Sequence, residues 1–194
     1  MGDTQAVYPQ KVLVYKGGWK AGQKHGKDCE LYSKLGFILY QGDFVNGTFH
    51  GNGKLYSDEG PPTAGSDGKI YDGGFEKGRK SGIGKLFDGV GNLVYDGKFS
   101  NDRYDTGTKK GSEGMLYKTP KDKETVLEYF GFFKKGKMHG ANGIMYNDNG
   151  TVYYQGEFSD GKFEGRGNLF YPTSDKDNLY IILKLKDLDS TVRS

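Results

Sequence analysis

The sequence predicts an all-β protein: an elongated, single-layer, twisted antiparallel sheet of about six successive β-hairpins. Three observations predict it. A Tyr-x-Gly-x-aromatic unit recurs along the chain, a glycine-bearing turn follows nearly every copy, and 33 glycines accompany 15 tyrosines and 12 phenylalanines in 194 residues. Self-similarity at a period of tens of residues signals an array of small units that bury their faces on one another. Helix is a poor reading, because glycine returns every few residues at about 1 kcal/mol each relative to alanine.

The copies begin at Tyr15, Tyr40, Tyr71, Tyr95, Tyr129 and Tyr154, with starts 25, 31, 24, 34 and 25 residues apart. Residues 1–13 are expected to be a loose lead-in, 14–171 the repeats, and 172–194 a capping strand and tail. Lys11 to Tyr15 is expected to start the first strand. In each copy Tyr, Gly and Phe or Trp alternate with polar residues, the period of a strand with one buried face. Turns follow at Ala21-Gly22, Asn46-Gly47, Lys77-Gly78, Lys135-Gly136 and Asp160-Gly161. Asn-Gly and Asp-Gly suit hairpins because both turn residues need positive φ. A second strand then carries Gly-x-Gly and an apolar pair such as Leu55-Tyr56 or Leu86-Phe87. Glycine inside a strand marks close approach of another group, here the ring faces of the flanking aromatics.

Copies one and five carry one extra residue between the middle glycine and the apolar-aromatic pair, which suggests a β-bulge. Copy four departs most: Asp102 replaces the turn glycine and Tyr104 to Lys110 is inserted. Gly60–Ser66 and Thr119–Glu124 are long, Pro-bearing surface connectors. Tyr180–Lys186 begins where a seventh copy would start but has no glycine. It is read either as a strand capping the last repeat or as an edge that pairs with another subunit.

The runs YQGDFVNGTFHGNG, YDGGFEKGRKSGIG and YQGEFSDGKFEGRG, beginning at Tyr40, Tyr71 and Tyr154, resemble the repeat of the MORN (membrane occupation and recognition nexus) family. The resemblance spans about residues 14–171 and implies a twisted, gently grooved sheet of hairpins. It also implies a non-enzymatic adaptor that takes a partner polypeptide in its groove, with cytoskeletal or ciliary assemblies among the settings. The groove residues would be Trp19, Tyr40, Phe44, Tyr71, Phe75, Tyr95, Phe99, Tyr129, Phe133, Tyr154 and Phe158. At any single position packing is the simpler role; over the whole surface, binding is. Replacing Phe75 and Phe99 by polar residues is then expected to abolish partner capture without unfolding the sheet.

Other chemistry is weakly supported. Gly131–Lys137 and Gly156–Lys162 have the spacing of a phosphate-binding loop, but Met138 and Phe163 stand where Ser or Thr is needed, and no helix follows. His25, His50 and His139 lie whole repeats apart, roughly 10 Å or more at two strand spacings per repeat, too far to share a metal. Cys29 takes the place of Gly143 and reads as a small half-buried side chain. Asp43, Glu76, Asp96 and Glu157 fall on outward positions, a solvated face and not a catalytic pair. No cofactor is expected. A net charge of +3 argues against a nucleic-acid partner. Lys77, Lys80, Lys134, Lys135 and Lys137 cluster near turns, either as edge protection or, less favoured, as a basic rim for an anionic membrane. One cysteine, no visible signal peptide and no long apolar run point to the cytoplasm.

Overall fold

The computed structural model describes residues 12–61, 67–120 and 124–170, and contains no helix among them. Repeat one supplies β1 (Tyr15–Lys16), β2 (Trp19–Lys20), β3 (Gln23–Lys24) and β4 (Gly26–Tyr32). Repeat two supplies β5 (Ile38–Val45) and β6 (Thr48–Tyr56); repeat three, β7 (Lys69–Glu76) and β8 (Arg79–Phe87). Repeat four has β9 (Leu93–Ser100), β10 (Arg103–Tyr104) and β11 (Gly114–Lys118). Repeat five has β12 (Val126–Lys134) and β13 (Lys137–Tyr146), and repeat six β14 (Val152–Ser159) and β15 (Lys162–Leu169).

Neighbours in sequence are neighbours in space. The sheet runs β1-β4-β5-β6-β7-β8-β9-β11-β12-β13-β14-β15 and does not close; β10 pairs with β9, and β2 with β3 forms a separate piece. Every pairing is antiparallel, as short hairpin links require. The first strand starts at Tyr15, later than expected, and Val12 to Val14 are exposed outside it. The expected strand at Tyr180–Lys186 lies outside the described residues.

The hairpin tips follow one geometry. Asn46 and Gly47 sit at φ 48° and 80°, and the other four Gly-bearing tips match them. This is the left-handed pair whose twist suits a two-residue hairpin. Repeat four keeps the geometry without glycine: Asn101 and Asp102 hold φ 50° and 68°. A bond helps to hold that turn, since Asp102 Oδ1 accepts from the Lys80 amide at 2.8 Å. Each tip also leans on the previous repeat. The Gly47 amide donates to the Lys24 carbonyl at 2.9 Å, Gly78 to Phe49 at 2.9 Å, Gly136 to Tyr104 at 2.8 Å and Gly161 to Met138 at 2.9 Å. All tips therefore lie along one long edge of the sheet.

The bulges are more widespread than expected. In repeats two, three and six the second strand carries two extra residues: Gly42 and Asp43 face Gly53 and His50, for example. The extra residue in repeats one and five adds a further bulge against the next repeat, with Asp28 at φ 51° and Asn142 at φ 61°. Bulges raise local twist, so twist is built into each repeat. In repeat four the bulge grows into the loop 105–113 between β10 and β11. Thr106 at its root is 2 % exposed; its Oγ1 accepts from the Phe133 amide at 2.8 Å and its own amide donates to the Phe133 carbonyl at 3.1 Å.

Candidate functional site

One bond organises each repeat. The tyrosine phenol donates to the backbone carbonyl three residues on: Tyr15 to Gly18 at 2.9 Å, Tyr40 to Asp43 at 3.0 Å and Tyr71 to Gly74 at 3.0 Å. Tyr95 to Lys98, Tyr129 to Phe132 and Tyr154 to Glu157 follow at 3.1, 3.2 and 3.2 Å. To reach that carbonyl the ring must lie flat across the sheet, over bare backbone. A Cβ on Gly53 would stand 2.4 Å from the Tyr40 phenol oxygen, and one on Gly84 2.4 Å from that of Tyr71. The strand glycines therefore make room for the rings, as the sequence suggested.

The rings join in an unbroken zigzag. Each tyrosine meets the aromatic of its own repeat edge-on and then that of the next. Tyr40 lies 5.2 Å from Phe44 and 5.4 Å from Phe75; Tyr71 lies 5.1 Å from Phe75 and 5.1 Å from Phe99. The series continues through Tyr95, Phe133, Tyr129 and Phe158 to Tyr154. Edge-to-face pairs of this kind contribute about 0.5–1.5 kcal/mol each beyond the area they bury. Burial pushes the phenols of Tyr40, Tyr71, Tyr95 and Tyr129 well above the ordinary tyrosine value of 10.0.

A second column covers the first, and the sequence reading missed it. The ninth residue after each tyrosine lies over that tyrosine's ring in repeats one, two, three, four and six. Phe49, Tyr104 and Phe163 stack flat on Tyr40, Tyr95 and Tyr154, each with ring centres 3.9 Å apart. Lys24 and Lys80 place their ammonium groups 5.6 and 5.5 Å above Tyr15 and Tyr71. Met138, at the same place in repeat five, packs against the core. The column is legible only once the copies are aligned, because its members share length and contact with a ring but not residue type.

This alters the role of the expected groove. Tyr40, Phe44, Tyr71, Phe75, Tyr95, Phe99, Tyr129, Phe133, Tyr154 and Phe158 are all at most 6 % exposed and form the interior, whereas Trp19 is 63 % exposed. The surface over them is made by the lids and by partly buried Leu31, Leu55, Leu86, Leu116 and Met145. Polar replacement of Phe75 or Phe99 would strike the core itself. The expected separation of binding from folding at those two positions is corrected accordingly.

The opposite face is not plain solvated polarity. Register places Lys16, Glu30, Gln41, Lys54, Asp72, Lys85 and Asp96 side by side across the strands. Lys85 reaches Asp96 at 2.9 Å, and that carboxylate is 2 % exposed. Beyond Asp96 the same row becomes apolar, with Met115, Phe130 and Ile144. Cys29 is fully buried and not half-buried. Gly131–Lys137 and Gly156–Lys162 are strand followed by hairpin tip, with no helix to receive a phosphate. Among the described residues no three of His, Cys, Asp and Glu stand together as metal ligands.

The model of the MORN repeat family matches residues 15–27, 40–60, 71–92, 129–152 and 154–176, more than half of the chain. The matches pass over residues 93–128, where repeat four has its divided second strand. Repeats of this family are commonly protein- or membrane-interaction modules, and the family is not a catalytic one. With the tyrosine, glycine and second aromatic of each repeat joined as described, this chain belongs to the MORN repeat family.

Proposed function

We propose that the protein is a non-enzymatic scaffold that binds a partner polypeptide across the lid column. The supporting observation is the column itself: Lys24, Phe49, Lys80, Tyr104, Met138 and Phe163 follow one another along one face, above a core they help to seal. Aromatic and aliphatic lids offer apolar contact. The two lysines, two repeats apart and so roughly 20 Å from each other, favour acidic groups on the partner. An extended or helical segment crossing the strands meets both. The test is affinity capture with the full chain, a Lys24→Glu/Lys80→Glu variant and a Lys54→Glu/Lys98→Glu variant altered away from the lid column. Loss of the captured protein with the first and retention with the second is expected. Retention with the first, or loss with the second alone, contradicts the reading.

A second reading rests on the shared edge of hairpin tips. Lys77, Arg79, Lys134, Lys135 and Lys137 are exposed along it, a basic rim suited to anionic headgroups. Glu76, Asp102 and Asp160 on the same edge dilute its field. Co-sedimentation with phosphatidylserine vesicles at low and physiological salt tests it, and an absence of salt-sensitive binding removes it.

A further inference from the structure

Repeats join in one repeating manner. The tyrosine of one repeat receives the phenylalanine of the next edge-on, as Tyr40 receives Phe75 at 5.4 Å and Tyr129 receives Phe158 at 5.0 Å. Beneath the rings, the junctions of repeat two with three and of three with four keep one register, whereas those after repeats one and five carry the extra bulge residue. Leu55 faces Tyr71, Gly53 faces Gly73 and Gly51 faces Phe75; Leu86, Gly84 and Gly82 face Tyr95, Gly97 and Phe99 likewise.

Half a junction is left at each end. Among the described residues β1 and β15 are the outermost strands of the sheet. At the β1 end Trp19 holds the place of the incoming phenylalanine, yet it is 63 % exposed where its counterparts are at most 5 %. At the β15 end Tyr154 has its own Phe158 and its lid Phe163, and among the described residues no aromatic of a following repeat extends the zigzag. Phe163 and Leu169 are 43 % and 64 % exposed there, although their equivalents Phe49 and Leu55 are partly buried by the next repeat.

We propose that the chain binds a second copy of itself head to tail. Trp19 of one molecule enters the slot over Tyr154 and Phe163 of the next. The segment from Tyr15 to Trp19 pairs with β15 in the register of the junctions after repeats two and three, with Tyr15 opposite Leu169, Gly17 opposite Gly167 and Trp19 opposite Gly165. The occupant follows from what the slot takes: an aromatic four residues after a tyrosine that lies over a glycine. Repeat one offers all three. In the chain's own later segment, Tyr180 is followed by Ile182 at the glycine place and Lys184 at the aromatic place. The contact is heterologous, so it leaves a free end on each side and copies can add in series. It rests on junction geometry alone and stands whether or not the lid column binds a partner.

Trp19 is the only tryptophan, so the full chain reports on its own association. Raising the concentration is expected to shift tryptophan emission to the blue while the mass measured by sedimentation increases. Trp19→Glu and Phe163→Glu alter exposed side chains, and each alone is expected to be monomeric with its β circular dichroism intact. Mixed one to one, the two variants are expected to form a two-chain species and nothing larger, because only one competent head and one competent tail remain. A full chain that stays monomeric with red-shifted emission at every concentration overturns the proposal. So does an unpaired variant that still associates. If only a chain ending at Phe170 associates, the slot belongs to the chain's own later segment, and the proposal fails.

Discussion

The phenol of Tyr71 donates a hydrogen bond to the carbonyl oxygen of Gly74 at 3.0 Å, and its ring is fully buried over Gly84. Removing only the hydroxyl, as Tyr71→Phe, keeps the ring contacts and gives up the bond. The expected loss is about 1 kcal/mol, the usual net value of a hydrogen bond in a folded protein. Tyr71→Ala also empties the space between Phe75 and Phe99 and is expected to cost about 3–5 kcal/mol. Urea unfolding followed by circular dichroism separates the two.

Gly84→Ala tests the close approach. Its Cβ would lie 2.4 Å from the Tyr71 phenol oxygen and 2.7 Å from the ring carbon bearing it. The ring is held by aromatic neighbours on both sides, so the expected cost is that of overpacking, about 1–3 kcal/mol. Gly47→Ala meets no atom within 4 Å but must adopt φ 80°. It is expected to cost about 1–2 kcal/mol through backbone strain alone. Tyrosine hydrogen bonding, read by NMR, should be disturbed by the first substitution and not by the second.

At the tip of repeat four, Asp102→Ala loses the bond to the Lys80 amide and keeps a left-handed residue with a Cβ. A loss of about 1–2 kcal/mol is expected. Asp102→Gly loses the same bond but relieves the backbone, so it should be the less damaging of the two in urea. A reversed order would show that the left-handed backbone at position 102 is not a source of strain, and an unchanged midpoint in both variants would show that the bond does not hold this turn.

The splice between repeats four and five depends on Thr106. Thr106→Val leaves the buried Phe133 amide without its hydroxyl acceptor, at an expected cost of about 1–3 kcal/mol, whereas Thr106→Ser retains the acceptor. Faster hydrogen exchange at the Phe133 amide in the valine variant alone is the signature.

What the sequence disclosed follows from which features repeat by residue type. Tyr71, Gly73 and Phe75 recur as types, so the hairpins, the buried face and the role of the strand glycines could be read directly. The tip of repeat four was harder, because Asn101-Asp102 keeps a glycine geometry by a bond to another repeat. The lids were invisible because Lys80, Phe49 and Tyr104 are three different residue types; each is defined by the tyrosine it covers. Assigning the rings to a groove followed from the correct face without knowledge of that cover. Trp19 is the exception, exposed because no repeat among the described residues precedes it.

The central claim is that the tyrosine column is a sealed interior beneath its lids, and alkaline titration tests it most directly. Burial raises the folded-state values of Tyr40, Tyr71, Tyr95 and Tyr129 above 10.0, so the protonated phenols belong to the fold. Their contribution is fully present below pH 10 and is lost as pH rises above it toward the folded-state values. Tyrosine labelled with ¹³C at the ζ carbon, assigned and followed by NMR, reports each phenol separately. These four should stay protonated while exposed tyrosines ionise, and change only as the β circular dichroism is lost. Ionisation of the four alongside the exposed tyrosines, with the sheet signal intact, would contradict the account.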